Sequence, residues 1–319
     1  MSEQPNLSNP DLSPETFRKL LGKLISAPAS FNRADATLAI EHLLIPGSVL
    51  PSQIGSFLTA LHLSGMESDS EVLAGAAEVL RRHSVVVNSP QAEDDRRRTV
   101  DIVGTGGDGH NTFNVSTTAA VVAAGAGARV HKDVPSRLQA HLHPFDGGLV
   151  LGVAHPKLGE TFVQALSKDE TVQHAMVVCG EEHLDEISCA GRTRVWEFRK
   201  SEAGTVSFKE SIISPETFGV DSHLLAHVAG GKGPGENAEI FTKLLTQPQE
   251  AAQGELKPIF DFVLINAAAV LVVAEIAKDV KEGVELARQS ITSGEAWKTF
   301  QSFKEWDNAV GNLATSSTN

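Results

Sequence analysis

The chain contains no tyrosine and three tryptophans, and aromatic residues make up only 5% of it. A basic face interleaved with stacking aromatics, the footprint of a nucleic-acid binder, is therefore not indicated. Basic residues are also short, 27 against 40 acidic, for a formal net charge of −13. That balance argues against attachment to an anionic membrane surface. It also makes divalent cations a natural companion of any anionic ligand. Cysteine is scarce: Cys179 and Cys189 alone cannot build a disulfide framework, and they fit a reducing compartment. No apolar run reaches the length of a membrane span. The longest, "FVLINAAAVLVVAEIA" from Phe262, has Asp261 and Glu275 close to its ends and reads as a buried helix. The N-terminal stretch "MSEQPNLSNPDLSPETF" has neither a basic-then-apolar signal design nor an Arg-rich transit pattern. These features lead us to expect a soluble, cytoplasmic protein, and 319 residues suffice for two structural units.

Residues 1–12, rich in Asn, Ser and Pro, read as a loose lead-in. A small helical domain is expected over 13–87, its last helix ending near His83. "SPETFRKLLGKLI" places Ser13 as N-cap with Pro14 at the first helical position. "NRADATLAIEHLL", "PSQIGSFLTALHL" and "SDSEVLAGAAEVLRRH" continue the helical spacing of apolar residues. The charged segment 88–98 reads as a linker. From 99 to 308 short apolar strands alternate with helices, which predicts a larger α/β domain with a mostly parallel sheet. "RVWEFRKSEAGTVSF" reads as an antiparallel hairpin at its edge, and 309–319 as a disordered tail. The stretch 133–147, "DVPSRLQAHLHPFDG", has no clear periodicity. Its His141 and His143 form an H-x-H pair with no acid at ligand spacing, which favours a polar loop over a metal site.

The stretch "VDIVGTGGDGHNTFNVSTTAA" joins a predicted strand to a predicted helix. Gly104, Gly106, Gly107 and Gly109 let backbone N–H groups approach an anion, and the helix N-terminus adds its positive end. Asn114, Ser116 and Thr117 supply side-chain donors at that same end. An ordinary tight turn explains the glycines alone. The convergence with three capping residues favours anion binding. Gly104, Gly106 and Gly109 also satisfy G-x-G-x-x-G, with Asp133 near the place of a ribose-binding acid. Against that dinucleotide reading, "HNTFN" intervenes before the helix, and Asp108 would repel a pyrophosphate. A carboxylate there makes sense where sugar hydroxyls or metal ions accompany the phosphates. Asp185 and Glu186, in "CGEEHLDEIS", fall at or just beyond the carboxyl end of another predicted strand, where open α/β sheets bind ligands. On their own they are equally a solvated acidic loop. Beside a phosphate loop they suit Mg²⁺, which takes one or two protein carboxylates plus phosphates and water.

"VDIVGTGGDGHNTFNVST", "VVCGEEHLDEIS", "GENAEIFTKLL" and "VLINAAAVLVVAEIAKDVKEGVELARQSITSGEAW" closely resemble the anthranilate phosphoribosyltransferase family. The likeness runs from about residue 15 to 305, except for one segment. It implies a Mg²⁺-dependent enzyme that moves phosphoribosyl from 5-phosphoribosyl 1-diphosphate (PRPP) to anthranilate and releases diphosphate in tryptophan biosynthesis. By the same resemblance Gly104, Gly106, Gly107, Asp108, Thr112, Asn114, Ser116, Thr117 and Lys132 would bind PRPP. Ser116, Asp185 and Glu186 would serve the metal. No protein nucleophile is expected, and a homodimer through the helical domain is implied. After Lys132, which matches the lysine of the family's KHGN motif, several dozen residues are missing, including most of the acceptor pocket. Three other readings stay open: a homologue that keeps only the PRPP–Mg²⁺ half-site, a nucleoside phosphorylase of the same fold and a dinucleotide-dependent oxidoreductase.

Overall fold

The computed structural model describes residues 12–83, 99–131, 147–201 and 203–316. They fall into two compact units. The first contains helices α1 (Pro14–Ser26), α2 (Arg33–Leu44), α3 (Pro51–Leu63) and α4 (Ser70–Arg82). The side chain of Ser13 accepts from the Thr16 amide at the start of α1, where Pro14 sits as expected. Asn32 and Asp35 cap α2 reciprocally. Phe17, Leu20 and Leu24 of α1 converge with Phe31, Ala39, Phe57 and Val72 into a small core. The Phe17 and Phe57 rings lie tilted, 5.7 Å apart.

The second unit is built on a six-stranded sheet in the order β2-β1-β3-β4-β5-β6. The strands are β1 (Thr99–Gly104), β2 (Arg129–Val130), β3 (Gly147–Gly152), β4 (Val172–Gly180), β5 (Thr193–Lys200) and β6 (Val206–Ile213). The first four in that order pair in parallel, and β5 and β6 add the antiparallel hairpin at the edge. Helices α5 (Val115–Gly125), α6 (Pro156–Ser167), α7 (Pro215–Phe218), α8 (Pro234–Thr246), α9 (Pro248–Gln253), α10 (Lys257–Val273), α11 (Val280–Thr292) and α12 (Glu295–Ser316) complete the chain. The apolar run predicted as a buried helix is α10, where every residue from Ile259 to Val273 is buried. It packs against α5, α11 and the sheet. At about 2 kcal/mol for each large side chain removed from water, this helix anchors the unit. No helix among the described residues is long and apolar enough to cross a membrane.

One difference concerns the C-terminus. The sequence pattern assigns 309–319 to a loose tail, whereas α12 continues through to Ser316. "NAVGNLATS" holds enough Ala, Leu and Val to propagate a helix already nucleated by the Trp297–Phe300 segment. Lys132, Asp133, His141 and His143 lie outside the described residues.

Candidate active site

Strands β1 and β3 end level, with Gly104 opposite Gly152, and β4 runs two residues further, from Val178 opposite Gly152 to Gly180. Two loops leave this carboxyl edge from strands on either side of β3. One is the glycine loop after β1. The other carries Asp185 and Glu186 after β4.

The glycine loop turns on left-handed backbone at Gly106 (φ 69°), Gly107 (φ 77°) and Gly109 (φ 76°), a region that side chains disfavour. It ends at Asn114, whose carboxamide oxygen accepts from the Thr117 amide at 3.2 Å and caps α5. Ser116 Oγ lies 3.5 Å from the same oxygen. Asn114 and Thr117 are exposed and Ser116 is half-buried.

The acid loop is held on several sides. The Gly106 amide donates to Asp185 Oδ2 at 2.6 Å. His110 reaches across with Nε2 2.8 Å from the Glu182 carbonyl. A Cβ at Gly104 would lie 2.4 Å from Asp185 Oδ2, so only glycine lets the carboxylate approach the strand end. Leu184 and Ile187 are fully buried on either side of the acids. From α10, Asn266 Oδ1 accepts from the Ile187 amide and its Nδ2 donates to the Ile187 carbonyl, both at 3.1 Å.

Asp185 is 8% exposed. Burial pushes its carboxyl above the ordinary carboxylate range, and the facing carboxylate of Asp108 pushes it further, against the pull of the Gly106 N–H. Two acids thus face one another in a region where neither loop, 104–117 or 180–188, contains a lysine or arginine. Such a pair calls for a cation. No group of three His, Cys, Asp or Glu converges as a closed metal site among the described residues. An open site of one or two carboxylates, completed by phosphate and water, is how Mg²⁺ is usually held. The donor chemistry therefore fits that ion.

Three of the predicted site residues of the glycine loop meet Asp185 at this point. Gly104, Gly106 and Asp108 meet Asp185 directly, and Gly107, Asn114, Ser116 and Thr117 follow in the same loop and cap. Glu186, next in sequence to Asp185, is half-buried. Thr112 is instead engaged through its backbone, in a bridge with Ala229. The dinucleotide pattern is not realised, because α5 opens at Val115, well past the glycines. Sequence reasoning missed His110, Gly152, the bridge of Ala229 to Thr112 and Asn266. The last had a visible signal: it is an amide inside the otherwise apolar run from Phe262 to Val273.

Residues 18–84 match the helical bundle domain of a glycosyl transferase family, and residues 96–134 and 145–297 match its a/b domain. Anthranilate phosphoribosyltransferase of Schizosaccharomyces pombe is 33% identical over 326 aligned positions, covering 82% of this chain and 88% of the relative. The enzyme of that name from Thermomicrobium roseum is 32% identical, covering 91% and 98%. The chain belongs to the anthranilate phosphoribosyltransferase family. Among solved structures it is similar to the Saccharomyces cerevisiae enzyme in complex with PRPP and Mg (TM-score 0.77, 26% identity, 91% of this chain and 97% of the other). It is similar also to that enzyme in complex with 4-fluoroanthranilate (TM-score 0.77, 26% identity, 92% and 98%). The alignments are longer than the stretch of this chain they cover, and the family match breaks between 134 and 145. These family members thus carry a segment with no counterpart here.

Proposed function

We propose that this protein transfers the phosphoribosyl group of PRPP to the amine of anthranilate, with release of diphosphate. The observation that carries the reading is the 2.6 Å bond from the glycine-loop amide of Gly106 to Asp185. It joins an anion-binding loop to a buried acid in one constellation. Gly104, Gly106, Gly107, Asp108, Thr112, Asn114, Ser116 and Thr117 bind PRPP, together with Lys132 from outside the described residues. Asp185, Glu186 and Ser116 hold Mg²⁺, which when bound neutralises charge developing on the diphosphate.

In the reaction the ribose C1–O bond to diphosphate breaks and a C1–N bond to anthranilate forms, the amine proton passing to water. The displacement requires no protein nucleophile. Cys179 and Cys189 are buried, and burial pushes their thiols up to about 11 and about 12, so neither is a thiolate at neutral pH. The protein acts by holding C1 and the amine in line. The loop amides and the α5 N-terminus bind the departing anion, while Asp108 orients sugar hydroxyls. Reduced cysteines are in keeping with a cytoplasmic enzyme. The exposed Leu50, Leu58 and Leu63 at and along α3 support a homodimer through the helical unit.

The decisive experiment is loss of anthranilate fluorescence in the presence of PRPP, with and without Mg²⁺. Consumption that requires both is the expected result. PRPP binding without turnover would favour a half-site homologue, a reading prompted by the segment the relatives have and this chain lacks. Phosphorolysis of a nucleoside would instead favour a phosphorylase.

A further inference from the structure

Asp185 and Glu186 sit on a loop tied by a backbone bond between Gly180 and Leu184 before them and by the Ser188 amide to Thr193 after them. Whatever fixes the backbone between those ties sets where the acids point. Gly106 cannot do this alone, because it grips the Asp185 side chain and not the loop. Ile187 also lines an open pocket of about 420 Å³ together with Met176, Val195, Phe218, Ala269 and Val272. The Ile187 side chain is fully buried in the main core, but its backbone N–H and C=O need a partner of their own.

Asn266 supplies it. The side chain is fully buried in the middle of α10. Its carboxamide pairs with both the N–H and the C=O of Ile187, in the manner of a strand partner. The second Nδ2 hydrogen is used as well, in a 3.0 Å bond to the Phe262 carbonyl one turn back, so the amide cannot rotate without losing three bonds. A polar group in that position would otherwise cost stability. A leucine would suit the helix better.

We propose that Asn266 is a positioning residue for the metal–diphosphate site. By fixing both backbone groups of Ile187 it sets the direction of the two preceding carboxylates. The inference rests on the reading of Asp185 and Glu186 as the Mg²⁺ site. Groups that orient metal ligands typically change metal affinity by about 10–100-fold when removed.

Asn266→Asp keeps the shape and, ionised, loses both Nδ2 donors. Calorimetry with Mg²⁺ and inorganic diphosphate should show affinity reduced about tenfold or more in this variant. The KM for PRPP should rise while that for anthranilate stays put. In the metal-free protein, hydrogen exchange at the Ile187 amide should quicken. A folded variant with parental Mg²⁺–diphosphate affinity would overturn the proposal. A parent that binds no Mg²⁺–diphosphate would instead overturn the reading beneath it. Asn266→Ser is the substitute if the aspartate variant does not fold. In the parent itself, Mg²⁺ with diphosphate should slow exchange at the Ile187 amide, and no change there counts against the clamp without any variant.

Discussion

At Gly152 an added Cβ would lie 1.5 Å from the carbonyl oxygen of Asp185 and 2.3 Å from its carbonyl carbon. Both are backbone atoms of the acid loop, so no rotamer change relieves the clash. Overpacking of this kind costs about 1–3 kcal/mol, and here the displaced group is a proposed metal ligand. Gly152→Ala should therefore lower the melting temperature and weaken Mg²⁺–diphosphate binding together. Gly191→Ala, where a Cβ meets nothing within 4 Å, is the matched control and should leave both unchanged. Equal behaviour of the two variants in calorimetry and melting would contradict the placement of Asp185. The carboxyl of Asp185 carries a second consequence. Burial and Asp108 raise it above its ordinary 3.8 in the metal-free fold. The folded protein then binds that proton more tightly than the unfolded chain does. The stability this contributes is fully present below the ordinary value and is lost as pH rises through the raised one. Asp185→Asn, which cannot ionise, should be more stable than the metal-free parent at pH 7, with the gap closing on acidification. Melting curves across pH test this, and a gap that widens toward acid would contradict it.

At the level of elements, legibility followed the physics of each signal. The four helices of the first unit could be read because caps and apolar spacing agree, as at Ser13 with Pro14 and at Asn32 with Asp35. The edge hairpin was legible from its β-branched and aromatic alternation around a Ser-Glu-Ala-Gly turn. The continuation of α12 to Ser316 was not, because Ser, Thr, Asn and Gly carry weak helical preference, and the helix there propagates from the turns before it. The glycine loop and the acid pair announced themselves through composition. What tied them together did not. Gly152 lies in an ordinary apolar strand pattern, and only its partner across space explains it. His110 and Asn266 act through bonds to residues far along the chain, and such pairings leave no local trace. The bridge of Thr112 to Ala229 is of the same kind.

For the molecule as a whole, the surface of the helical unit bears on assembly. Leu50, Leu58 and Leu63 are 63%, 53% and 80% exposed, and Ile25 of α1 is 62% exposed. Leaving that much aliphatic surface in water costs solubility without helping the small core, which already closes over Phe17, Leu24 and Phe57. Pairing through α3 would remove such side chains from water in two copies at once, since a two-fold interface uses the same residues on both. The net charge of −13 opposes such pairing at long range, but screening shortens that repulsion to about 8 Å at physiological salt. The protein should therefore sediment at twice its 33.9 kDa chain mass, more completely as salt is raised. Leu58→Lys combined with Leu63→Lys should give a monomer with a nearly unchanged melting temperature, since neither side chain belongs to the core. Sedimentation velocity separates the outcomes. A parent that is monomeric at micromolar concentration and moderate salt, or a double variant that stays dimeric, would place the contact elsewhere or remove it.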